Sequence, residues 1–212
     1  MEEAFREEGV RGWIHTPEEP TGDGLVVTHG AGSNANAPVV IAAARAFEAA
    51  GFVVLRCDLP FRQQRASGPP FPAMAPKDRE GLREACGILR RITNGRLFLG
   101  GHSYGGRQAS MLAAEDVFVA DGLLLLSYPL HPPGKPEQVR TGHFPELRTP
   151  SLFVHGTRDP FGSPVEMRAA LRLIPGRAEL VEMEGAGHDL RPLVRRAGEL
   201  VPKLAGLTAG GR

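Results

Sequence analysis

The chain has 212 residues, 42% hydrophobic and 23% charged, the balance of an ordinary globular protein rather than a disordered or fibrous one. Its 25 basic and 24 acidic residues leave a formal net charge of +1 and form no basic runs, which argues against a nucleic-acid partner. No stretch approaches the roughly 20 apolar residues of a membrane helix, so no membrane partner is expected.

The acidic stretch from Met1 to Glu8 leads into no apolar core of signal-peptide length. Residues 7 to 15 offer an edge strand with Val10, Gly12 and Ile14 on one face and Trp13 on the other. Gly24 to Gly30 is an apolar run entering a glycine turn, the pattern of a buried strand. Asn36 to Ala50 repeats apolar residues at helical spacing, and Gly51 ends it. Phe52 to Asp58 reads as a second core strand stopped by Leu59-Pro60, and Phe61 to Pro76 reads as a loop. Asp78 to Ile92 carries the stripe Leu82, Ala85, Cys86, Leu89, Ile92 of an amphipathic helix. Cys57 and Cys86 thus fall in apolar patterns, as small buried hydrophobes rather than a disulfide, and a reducing cytoplasm is expected.

Arg96 to Gly101 is the third core strand, and Arg107 to Ala114 is helical. Leu123 to Tyr128 is the fourth, apolar almost throughout, as parallel strands covered on both faces should be. A polar loop from Pro129 to Thr149 precedes a strand at Ser151 to Gly156, a helix at Pro164 to Leu173 and a last strand at Ala178 to Met183. Leu190 to Leu204 is helical, with a frayed tail from Ala205 to Arg212. Strands alternating with helices predict one α/β domain over residues 1–212, with its core at about 24–204. Its sheet is mainly parallel, of about six to seven strands, with helices on both faces. Function then sits at the carboxyl ends of the strands.

Gly101-His102-Ser103-Tyr104-Gly105 matches the Gly-x-Ser-x-Gly elbow, with a strand running in and a helix running out. The nucleophile of such an elbow sits on a strained turn, where side chains two residues either side would strike backbone. A serine hydroxyl needs a histidine to accept its proton and an acid to hold that histidine. His188, beyond the last strand in Gly185-Ala186-Gly187-His188, is the candidate base; Asp159, after the fifth core strand, is the candidate acid, with Asp189 as rival. The chain order Ser, Asp, His is that of α/β-hydrolases. The backbone amides of Tyr104 and of Ala31, in His29-Gly30-Ala31-Gly32, are the candidate oxyanion donors, and His29 props its loop. His15, His102, His131, His143 and His155 show no metal-ligand spacing, and no nucleotide-binding glycine pattern opens the first helix. Neither a metal nor a cofactor is expected.

These pieces together resemble the α/β-hydrolase superfamily, more narrowly its small dienelactone-hydrolase-like bacterial members, from about Gly24 to Leu204. The strings Asp58 to Arg62, Ser127 to Lys135 and His155 to Gly162 are similar to the branch that includes testis-expressed protein 30 and the third subunit of the NSL histone acetyltransferase complex. The resemblance implies Ser103 as nucleophile, Asp159 as acid, His188 as base and Ala31 and Tyr104 as oxyanion donors. No helical insertion precedes the fifth core strand, so a cap domain is not expected, and Leu59 to Pro76 and Pro129 to Thr149 are left to shape the pocket. Arg62, Arg65 and Arg140 in those loops are candidates to hold a substrate carboxylate by paired hydrogen bonds. The expected activity is an esterase-like serine hydrolase acting on a small-molecule ester or thioester. Acyl transfer by the same triad and a non-catalytic binding or scaffold role are the alternatives.

Overall fold

The apolar runs do become strands of one sheet in the computed structural model, which describes residues 1–7 and 9–208. The strands are β1 (Glu2–Glu7), β2 (Val10–His15), β3 (Gly24–Thr28), β4 (Val53–Asp58), β5 (Leu97–His102), β6 (Gly122–Leu126), β7 (Ser151–Gly156) and β8 (Ala178–Met183). The helices are α1 (Pro38–Ala49), α2 (Pro60–Gln64), α3 (Ala75–Ile92), α4 (Tyr104–Glu115), α5 (Pro164–Leu171), α6 (Leu193–Arg196) and α7 (Leu200–Thr208). Strand order is β1-β2-β4-β3-β5-β6-β7-β8, with β1 and β2 antiparallel and every pairing from β4 to β8 parallel.

Alternate residues of the central strands feed two cores. Val26 belongs to one with Leu82 and Leu89 of α3, Leu112 of α4 and Met167 of α5. Leu25 and Val27 belong to the other, with Val40 and Phe47 of α1 and Leu200 and Leu204 of α7. Both faces of β3, β6 and β7 are covered, which is why these strands read as unbroken apolar runs. Each fully buried Leu or Val contributes about 1.5–3 kcal/mol relative to exposure.

The sheet has eight strands, more than the six or seven expected, because Glu2–Glu7 pairs along its length with β2. Its sequence, EEAFRE, shows no apolar alternation because the strand lies at the edge, with only Phe5 packed on the core. Ion pairs anchor it instead: Glu2 to the buried Arg56, and Glu7 to Arg91. The stretch read as a loop from Phe61 contains α2, whose Phe61 and Arg62 are buried. The last helix is interrupted at Ala197–Glu199, since Pro202 has no amide for the Gly198 carbonyl. Helical structure then continues through Thr208, so the tail is not frayed from Ala205; residues 209–212 lie outside the described residues. Between β6 and β7 the described residues hold only a 3-10 turn, Phe144–Glu146, and no cap domain. No described helix is long and apolar enough to cross a membrane.

Candidate active site

The sheet reverses its direction of growth at β3, which has β4 on one side and β5 on the other. Ligands of open α/β sheets bind in the crevice at the carboxyl ends of strands at such a point. His29 follows β3, and Ser103 follows β5 as the residue preceding α4.

Ser103 has φ 52° and ψ −115°, a conformation that side chains other than glycine rarely adopt. It is held there by Ser103 N–H donating to Leu126 O at 2.8 Å and by Arg107 N–H donating to Ser103 O at 2.9 Å. The flanking glycines are required by contact. A Cβ on Gly105 would lie 2.5 Å from His29 O, and one on Gly101 would lie 2.7 Å from the carbonyl carbon of Gly105.

His188, on the loop after β8, brings Nε2 to 2.8 Å from Ser103 Oγ. Its Nδ1 lies 2.8 Å and 3.0 Å from the two carboxylate oxygens of Asp159, on the loop after β7. The Asp159 side chain is fully buried, that of His188 22% exposed. Burial alone would raise the Asp159 carboxyl, but the His188 hydrogen bond and charge, and the Phe161 amide donating at 2.9 Å, hold it below the usual range. Asp189 faces Arg191 instead, at 2.6 Å. The Phe161 ring lies over the His188 imidazole with centroids 4.1 Å apart, and His102 Nε2 is 2.8 Å from the His188 carbonyl oxygen.

Ala31 and Tyr104 line one cleft with Ser103, of about 550 Å³. Tyr104 is the first residue of α4, whose amide has no intrahelical acceptor and points where the helix dipole favours negative charge. Its hydroxyl donates to the buried Asp78 carboxylate at 2.7 Å, which also accepts the Phe61 amide at 2.9 Å. His29 is buried against the same turn, with Nε2 accepting the Leu59 amide at 3.1 Å. Burial pushes its pKa down to about 4, so it stays neutral.

Both loops expected to shape the pocket do line it: Pro69, Pro70, Phe71 and Pro72 from one, Pro129 and Arg140 from the other. Of the three arginines proposed from sequence, only Arg140 reaches this cleft. Arg62 is 5% exposed and spends its guanidinium on backbone, donating to Ala31, Ser33, Arg65 and Gly68 carbonyls at 2.6–3.0 Å. Arg65 lies over Phe71 and donates to Pro69 O at 3.3 Å. The sequence reading missed Arg107, which lines the cleft from α4; its position four residues after Ser103 puts it on the same helix face.

A family model described as an alpha/beta hydrolase domain matches residues 22–205. Similar solved structures include an alpha-beta serine hydrolase homologue from Coxiella burnetii, at 18% identity, 94% coverage of both chains and a TM-score of 0.74. A serine hydrolase without a lid from Xanthomonas campestris matches at 22% identity, covering 94% of this chain and 91% of that one, with a TM-score of 0.72. A dienelactone hydrolase from Anabaena variabilis matches at 20% identity, 96% coverage of both chains and a TM-score of 0.75. At these identities the likeness is one of fold.

Proposed function

Because this chain belongs to the alpha/beta hydrolase domain family, we propose that it is a serine hydrolase that cleaves a small ester or thioester through an acyl-enzyme on Ser103. One observation carries the reading: a continuous hydrogen-bonded line from Ser103 Oγ through both nitrogens of His188 to the buried carboxylate of Asp159.

In the first half-reaction Ser103 Oγ bonds to the substrate carbonyl carbon and His188 Nε2 takes the hydroxyl proton. Asp159 holds Nδ1–H and stabilises the imidazolium, while the Ala31 and Tyr104 amides receive the oxyanion. The carbonyl–leaving-group bond breaks, and the leaving alkoxide or thiolate departs with the proton from His188. Water then attacks the acyl-enzyme carbonyl with His188 again as base; the acyl carbon–Oγ bond breaks, the acid is released, and Ser103 Oγ takes back the proton from His188. The cleft, without a cap domain, suits short acyl chains.

The test is hydrolysis of p-nitrophenyl acetate and butyrate, with labelling of Ser103 by a fluorophosphonate. Ser103→Ala is expected to lower kcat by about 10⁶-fold and to abolish labelling. An unlabelled Ser103, or hydrolysis that survives its replacement, overturns the reading.

A further inference from the structure

The cleft beside Ser103 is lined by two arginines and no acid. Its lining includes Arg107 and Arg140 but not one Asp or Glu. On α3 and just before β5, arginines do meet carboxylates: Arg79 with Glu115, Arg83 with Asp116 and Arg96 with Asp23. Among the described residues neither Arg107 nor Arg140 has an ion pair, and Arg107 Nε is buried with no hydrogen-bond partner. The Arg140 guanidinium donates a single long bond, 3.3 Å, to Pro129 O. Its own carbonyl is fixed by the Tyr128 hydroxyl at 2.6 Å, so the guanidinium hangs from an anchored backbone.

Two cations gathered in a partly buried cleft without a counter-charge are destabilising on their own. Burial and the neighbouring Arg107 charge both depress the Arg140 pKa, as expected of a pair lacking its anion.

We infer that Arg107 and Arg140 form an anion subsite, and that the substrate is an ester carrying a carboxylate close to the scissile bond. The inference rests on the proposed serine-hydrolase reading and names its substrate class. Arg107 stands one helical turn from Ser103, its amide bonded to the Ser103 carbonyl, so the carboxylate binds a short chain away from the reacting carbon. A carboxylate there is met by planar donor forks that suit two-point recognition.

The experiment compares p-nitrophenyl hemisuccinate and hemiglutarate with neutral p-nitrophenyl esters of matched chain length. A second arm compares 4-acetoxybenzoate with its methyl ester, placing the carboxylate on the leaving half. In at least one arm the anionic substrate should have a kcat/KM at least about tenfold higher, the effect of one charge-assisted hydrogen bond. Arg107→Met and Arg140→Met should each bring that ratio to about one or below, chiefly through KM. Should Arg107→Met fail to fold, Arg140→Met on the loop decides. Calorimetry on Ser103→Ala reads the same preference without turnover. No anionic preference in either arm, or one that both substitutions leave intact, overturns the inference. Labelling of Ser103 with neutral esters preferred sinks the subsite alone. Arginine-dependent binding of the half-ester by a protein whose Ser103 is unlabelled sinks the hydrolase reading and leaves the subsite standing.

Discussion

The guanidinium of Arg62 donates to the carbonyl of Ala31 at 2.8 Å, tying a helix after β4 to the turn after β3. The same side chain reaches the Ser33, Arg65 and Gly68 carbonyls, so it fixes the turn on which Ala31 lines the cleft. In the proposed serine hydrolase, Arg62 then acts as a positioning residue for the Ala31 turn. Arg62→Met should leave these carbonyls short of donors, costing about 2–4 kcal/mol in urea unfolding and about 10- to 100-fold in kcat. Arg62→Lys, with one ammonium for four carbonyls, should not restore kcat. A kcat within twofold of the parent for both variants would remove Arg62 from the positioning of the turn after β3.

Asp159 and Asp189 are separated by their partners. Asp159→Asn preserves shape but removes the charge that holds the His188 tautomer, and should lower kcat on p-nitrophenyl butyrate by about 10⁴-fold. Asp189→Asn breaks only an exposed pair with Arg191 and should stay within about twofold. Reversal of that order would make Asp189 the acid.

The glycines flanking Ser103 and in the turn after β3 differ in tolerance. Gly105→Ala forces a Cβ against the His29 carbonyl and should cost about 3 kcal/mol or more with loss of activity. Gly32→Ala meets nothing within 4 Å and should unfold within about 0.5 kcal/mol of the parent. Chemical denaturation of the two variants is sufficient; equal losses would contradict the contact argument.

Acid should weaken the fold well above the carboxylate range. Burial holds both His29 and His143 down at about 4, with Arg107 and Arg79 adding to the effect on His143. Unfolded, each titrates near its ordinary value of about 6.5, so the unfolded chain binds more protons between those limits. Their stabilisation is complete above about 6.5 and is lost as pH falls toward about 4, at roughly 1 kcal/mol per pH unit for each. The Asp159 contribution, from a depressed carboxyl, is lost only below its ordinary pKa. Urea midpoints at pH 7.5, 6.0, 5.0 and 4.5 should fall steadily, and His143→Asn should reduce the slope. A flat midpoint from pH 7 to 5 would contradict neutral, buried imidazoles.

The core strands were legible because burial on both faces leaves long apolar runs, as in Leu123-Leu124-Leu125-Leu126. Ser103, Asp159 and His188 could be picked out because each follows a strand at the same edge, and folding brings their side chains within hydrogen-bond reach. β1 was not legible, since its stability comes from backbone pairing and from ion pairs with residues such as Arg56, 54 positions away. Arg62 and Arg65 were misjudged because a loop sequence does not say which carbonyls its arginines will meet. Arg107 was readable in principle from its spacing to Ser103, once α4 is known to begin at Tyr104.

The two cysteines supply a clock for global opening. Cys57 on β4 and Cys86 on α3 belong to the same core, and burial pushes both thiols up to about 12, so neither is a nucleophile while the fold is closed. An alkylating reagent at neutral pH therefore counts excursions in which this core comes apart. Trapping rates at rising reagent concentration would measure how often the scaffold beneath Ser103 unfolds, without denaturant and without substrate.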